Sequence, residues 1–198
     1  ESFRQIFSNR KLLLFLVGVA LLSETHQTIT VFLNQLQYER CGLNESIIGL
    51  VYIVVTLLGL LGAYSAAFTR RVGVHRSFAL FCVLAAISCL VRGSTSLALP
   101  SVISVLILRL SNTLFQPLLA DLQNRQITSR NRATALSVCG MLVNGIAIGT
   151  NLVFGALSDW NLSAAFYFGS VICTVGLLLF WLWLKTGYGV LSQDTMRS

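Results

Sequence analysis

The sequence predicts an all-α membrane protein, with six transmembrane helices arranged as a 3+3 inverted repeat. Three observations carry that fold class. Only 11% of the 198 residues are charged, less than half the ~25% of a soluble domain, so the chain cannot clothe a water-facing surface. Mean hydropathy is +0.77, and the apolar residues gather into six runs near the about 20 residues that a membrane helix needs. The character of those runs goes polar, small-residue, plain, and then repeats in the same order.

The first run, Leu12–Gln35, carries a polar stripe. Glu24, Gln27, Thr28, Val31 and Gln35 recur at helical spacing and share one face, with His26 and Asn34 beside it. Ser46–Thr69 follows Asn44, a natural N-cap, and offers Gly59, Gly62, Ala63 and Ala66 for close helix contact. Ser77–Val91 is the shortest. The wider stretch Val72–Val91 reaches full length if His75 and Arg76 snorkel to the interface. Leu97–Gln123 is polar again, with Arg109, Asn112, Thr113 and Gln116 on one face, Pro117 expected to kink it and Gln123 near its exit. Ala133–Ser158 shows a small and polar stripe of Ser137, Gly140, Asn144, Ile148, Asn151 and Gly155. Ser163–Leu184, capped by Asp159 or Asn161, is apolar and aromatic through Phe166, Tyr167, Phe168, Phe180, Trp181 and Trp183.

The third and sixth runs read as outer helices, their aromatics supplying an interface belt and bulk. Lipid cannot satisfy backbone polar groups, so all six runs are helices, and none alternates as a barrel strand would. Asn44 and Asn161 also match a glycosylation sequon, but in loops this short capping is the expected role.

Orientation follows from Lys and Arg placement. Arg4, Arg10, Lys11, Arg70, Arg71, Arg76, Arg125, Arg130, Arg132, Lys185 and Arg197 fall at one set of ends, eleven of fourteen basic residues. Arg40 and Arg92 fall in the opposite loops, and Arg109 lies within a span. Residues 1–11 are therefore expected as a cytoplasmic lead-in, 12–184 as the transmembrane domain and 185–198 as a cytoplasmic tail. The expected location is the plasma (inner) membrane, multi-pass, with both termini cytoplasmic. The net charge of +7 is too scattered to track a nucleic-acid backbone.

Cys41, Cys82, Cys89, Cys139 and Cys173 follow neither a metal-ligand spacing nor a paired framework, so no metal, cofactor or disulfide is expected. The chain opens on Glu1, which reads as a start inside a longer polypeptide. The first run is too long for a signal peptide and lacks a small-residue cleavage site.

Candidate functional residues are those whose polarity is hardest to place in lipid. Glu24, Arg109 and Asn144 sit near the midpoints of their runs, where a charge costs about 2.5–3.5 kcal/mol on the most lenient scale. Glu24, Gln27, Thr28, Gln35, Arg109, Asn112, Gln116 and Asn144 are the expected substrate or ion pathway. Alternatively, Glu24 and Arg109 form an ion pair that only locks helices, and the asparagines bond between helices. His26, beside Glu24, is either a proton shuttle or a satisfied polar contact.

The stretch Asp121 to Ile127 followed by Arg130-Asn131-Arg132-Ala133-Thr134-Ala135-Leu136-Ser137 resembles the major facilitator superfamily, in its carboxy-terminal six-helix half. Gly155-Ala156-Leu157-Ser158-Asp159 and the opening Phe3-Arg4-Gln5-Ile6-Phe7 with Arg10-Lys11 are similar to it as well. The family's basic loop motif is half present. Arg71-Val72-Gly73 and Arg76 fit, whereas Ala66, Arg70, Val74 and His75 stand where Gly, Asp, Arg and Arg belong, so membrane anchoring is the role expected of that loop. The resemblance implies a bacterial secondary transporter in which the first, second, fourth and fifth helices line a central cavity. It implies as partners a small-molecule solute, a coupling proton in one version, the lipid bilayer and a second six-helix half, from the same polypeptide or another chain. A non-transporting membrane scaffold is the alternative. An intramembrane enzyme is disfavoured: no serine-nucleophile motif is present, and His26 and His75 are the only histidines to serve as base.

Overall fold

The computed structural model of the chain describes residues 10–126 and 132–185. The expected lead-in through residue 9, the loop 127–131 and the tail from 186 lie outside the described residues, and with them Arg4, Arg130 and Arg197. Six helices are long and apolar enough to cross a membrane. They are α1 (Arg10–Arg40), α2 (Glu45–Val72), α3 (Val74–Ser94), α4 (Ala98–Gln126), α5 (Arg132–Trp160) and α6 (Leu162–Trp183).

Local chemistry sets the boundaries. Asn44 Oδ1 accepts the Ile47 N–H at 2.9 Å and Asn161 Oδ1 that of Ser163 at 2.8 Å, so both asparagines are the N-caps expected of them. Gly42 at φ 70° and Gly73 at φ 91° take the two backbone turns a side chain would resist. Inside α1, Thr28–Leu33 forms a π segment. Inside α2, Gly59–Tyr64 tightens to a 3-10 turn. α4 continues through Pro117.

Contacts between distant residues fix the ends. Arg40 donates to Ser96 and to Ser163, bringing together the end of α1, the α3–α4 loop and the start of α6. Phe15 packs on Trp183 at 5.1 Å and Phe78 stacks on Phe180 at 3.3 Å, so the starts of α1 and α3 meet the end of α6. Arg10, Lys11, Arg70, Arg71, Arg76, Arg125 and Lys185 are all exposed near that second, basic end.

The broadest contact is between α3 and α6. α6 also lies along α1 and α3 along α4, while α1 takes α5 on its other flank and α4 takes α2. Glycines allow the closest approach: a Cβ at Gly176 would sit 2.8 Å from Leu22 Cγ, and one at Gly169 would sit 3.0 Å from Ile29 Cδ1. Within this six-helix body α3 and α6 are well covered, with 44% of the most apolar stretch of each buried. Each shows one apolar exposed face, through residues such as Ile87 and Val171, and packs its other face into the core that α1 shares. Phe166, Phe180 and Trp183 are buried core rather than interface belt. Their uniform apolarity suits protein on one side and lipid on the other. α2 and α5 are the least covered helices, with 11% and 17% of their most apolar stretches buried against 67% for α1.

Candidate functional site

Glu24 lies midway along α1 and is 9% exposed. Its carboxylate accepts from the Asn151 side-chain N–H of α5 at 3.4 Å. The carbonyl oxygen of the same Asn151 amide accepts the Thr28 hydroxyl. One carboxamide therefore spans two successive turns of α1, orienting the carboxylate and a hydroxyl toward α5. From this cluster a cavity of about 360 Å³ extends between α1 and α5, lined by Thr28, Phe32, Leu33, Leu36, Asn151, Phe154, Gly155 and Ser158. Thr28 and Asn151, the two partners in the Glu24 cluster that reach the cavity, line it together with Ser158 and a larger apolar set.

Arg109 is elsewhere. Its Nε donates to the Val55 carbonyl of α2 at 3.3 Å, and its Nη2 lies 3.3 Å from where a Gly59 Cβ would stand. Among the described residues no ion pair joins it to Glu24. The alternative of a mutual ion pair is therefore not what the described residues show: Glu24 bonds across the α1–α5 contact and Arg109 across the α2–α4 contact. The glycine pattern of α2 serves that second contact, since Gly59 makes room for the guanidinium and a Gly62 Cβ would lie 3.4 Å from the Thr113 carbonyl. That carbonyl has no helical donor because Pro117 lacks an N–H.

Gln116 donates to Asn112 Oδ1 at 3.0 Å and to Ser23 Oγ at 3.4 Å, linking α4 to α1 one residue from Glu24. Gln27, Gln35 and Asn144 are exposed and join no cluster with Glu24; Gln35 donates instead to Glu39 at 3.1 Å. The π segment explains how the stripe turns beyond Thr28. An i→i+5 turn inserts an extra residue and rotates all that follows, so Asn34, Gln37 and Tyr38 turn inward while Val31 and Gln35 turn out. His26 faces away from Glu24. Its Nδ1–H donates to the Leu22 carbonyl at 2.8 Å and its ring approaches Phe115. It is a core histidine and relays nothing to Glu24.

Sequence reasoning missed two features. Asn151 was visible in the α5 stripe but not singled out, because hydrogen-bond pairing across helices leaves no spacing signal. Arg92, read as a loop cation, is fully buried. Its Nη2 donates to Asn34 Oδ1 at 2.8 Å, and its guanidinium lies 4.9 Å from the Phe166 ring and 5.9 Å from that of Tyr38. Next to it, Gln37 donates to the Thr95 carbonyl and to Ser101 Oγ, both at 2.9 Å. This polar knot ties α1, α3, α4 and α6 at the end opposite the basic one. The signal available was the i, i+3, i+4 recurrence of Asn34, Gln37 and Tyr38.

No family model matches the chain, and no curated protein or solved structure is significantly similar to it.

Proposed function

We propose that this chain is a six-helix half of a secondary transporter of the major facilitator type, moving a small solute across the plasma membrane by alternating access with proton coupling. The observation that carries this reading is Glu24, a carboxylate midway along a 31-residue apolar span, held by a neutral amide that itself lines a cleft. An ionisable group at that depth is costly, and a purely structural one would be expected to meet a cation. Asn151 holds Glu24 through a bond that serves either protonation state: the N–H donates to the carboxylate, and a carboxylic acid still accepts it.

The helix neighbours support the 3+3 repeat. When α1–α3 are exchanged for α4–α6, α1 on α6 becomes α4 on α3, α1 on α5 becomes α4 on α2, and α3 on α6 maps onto itself. A repeat of three spans enters the membrane from opposite sides on successive occurrences, so such a pair is inverted of necessity. The cluster of exposed cations at one end supports cytoplasmic termini. Exposed Gln27, Gln116 and Asn144 on α1, α4 and α5 support a second six-helix half, because hydrocarbon offers them no partner.

The test is solute flux in membrane vesicles from cells that make the protein together with its second half, with and without a pH gradient, comparing the wild type with Glu24→Gln. Gradient-driven flux that is lost in Glu24→Gln while solute exchange persists supports the reading. Undiminished gradient-driven flux in the variant contradicts it.

A further inference from the structure

The exchange that relates the two halves of the fold also relates two cavities. The cleft beside Glu24 lies between α1 and α5. Its counterpart lies between α4 and α2 at the basic end, about 410 Å³ in volume, within the ~300–1,000 Å³ range of small-ligand pockets. The linings differ in kind. The first is uncharged, with Phe32, Leu36 and Phe154 beside Thr28, Asn151 and Ser158, whereas the second adds Arg70, Asp121 and Arg125 to Ser65 and Thr69. Both linings hold hydroxyl groups, Thr28 and Ser158 in the first, but only the second holds charged ones, so basic groups are not something this helix packing imposes.

Three independent features in the second cavity converge on an anion. Thr69 is 7% exposed, and its hydroxyl has no hydrogen-bond partner among the described residues; a buried donor left unmade costs about 1–3 kcal/mol. Arg70 meets no acid among the described residues, while Arg125 holds Asp121 at 3.0 Å, so the lining keeps a net positive charge. Val74, in the same lining, is the first residue of α3. Its N-cap Gly73 supplies no side-chain cap, which leaves first-turn N–H groups and the positive end of the helix dipole there.

We infer that this cavity binds a phosphate group, through the Thr69 hydroxyl, the Arg70 guanidinium and the first turn of α3. Basic pockets between transmembrane helices take phospholipid headgroups, and a soluble phosphate ester presents the same chemistry. The site stands apart from Glu24 and does not depend on the transport reading.

The experiment uses the full chain in phosphatidylcholine nanodiscs with and without phosphatidylglycerol, reading lipid retained by native mass spectrometry and the thermal midpoint. A parallel arm titrates inorganic phosphate and glycerol 3-phosphate in the absence of phosphatidylglycerol. Thr69→Val and Arg70→Gln are each expected to weaken binding about tenfold, the loss equivalent to about 1.4 kcal/mol. Thr69→Ser, which keeps the hydroxyl, and Arg10→Gln, a cation of the same end outside the cavity, should bind as wild type. Selective retention of phosphatidylglycerol assigns the site to lipid, and a midpoint raised by the soluble esters assigns it to a soluble phosphate. Binding unchanged in Thr69→Val and Arg70→Gln, or lost equally in Arg10→Gln, overturns the proposal, as does absence of any phosphate binding by wild-type protein.

Discussion

Gly176→Ala tests the packing on which the site depends. The added Cβ would stand 2.8 Å from Leu22 Cγ and 3.1 Å from both of its methyls, against about 3.5–4.0 Å for carbon atoms in contact. Leu22 is fully buried, so it cannot swing aside without moving its neighbours. Overpacking of this kind costs about 1–3 kcal/mol. The higher helix propensity of alanine offsets up to about 1 kcal/mol of that, leaving roughly 0–2 kcal/mol of destabilisation at full offset. For a chain of this size each kcal/mol lowers the midpoint by about 2–4 °C. Cys82, Cys89, Cys139 and Cys173 are buried and free, so thermal unfolding can be followed by their reaction with a thiol-specific fluorophore. Gly149→Ala is the control, since nothing lies within 4 Å of its added Cβ. A midpoint for Gly176→Ala equal to or above that of Gly149→Ala, which gains the same propensity without the clash, would refute the α1–α6 packing.

Asn34→Leu removes a side-chain acceptor of the buried Arg92 and should cost about 1.5–3 kcal/mol, with Arg92→Met restoring part of it in the double variant; additive losses in the same thermal measurement would count against the knot. Asn44→Ala should cost about 1 kcal/mol through loss of the α2 cap, and an unchanged midpoint would show that the cap contributes nothing. Asn151→Leu strips Glu24 and Thr28 of their common partner, so it should reduce gradient-driven flux while a variant at the exposed Gln35, Gln35→Leu, does not. Equal effects of these two substitutions would mean that the α1–α5 cluster is not the functional part of the stripe.

Much of the fold is legible in the sequence because lipid imposes a one-dimensional rule. Apolar runs of sufficient length become helices, and Asn44 and Asn161 mark two of their starts. The side on which each polar residue lands is less legible. The α1 stripe assumes an unbroken 3.6-residue period, and the π segment at Thr28–Leu33 breaks it, turning Gln35 outward and Asn34 inward. Glu24 and Arg109 share a depth, which suggests a pair, but depth says nothing of azimuth, and they lie in different helix contacts. Arg92 shows the same limit in another form, since a cation three residues from a loop reads as solvated until Asn34 and Phe166 are found around it.

The central claim is that Glu24 takes up and releases a proton while held by Asn151. Infrared difference spectroscopy of the reconstituted chain between acid and alkaline pH measures this directly. The account predicts a carboxylic C=O band that appears on acidification, is missing from Glu24→Gln and shifts in frequency in Asn151→Leu as its hydrogen bond is lost. A carboxylate that stays ionised across the whole range, or a titrating band that survives Glu24→Gln unchanged, would contradict it.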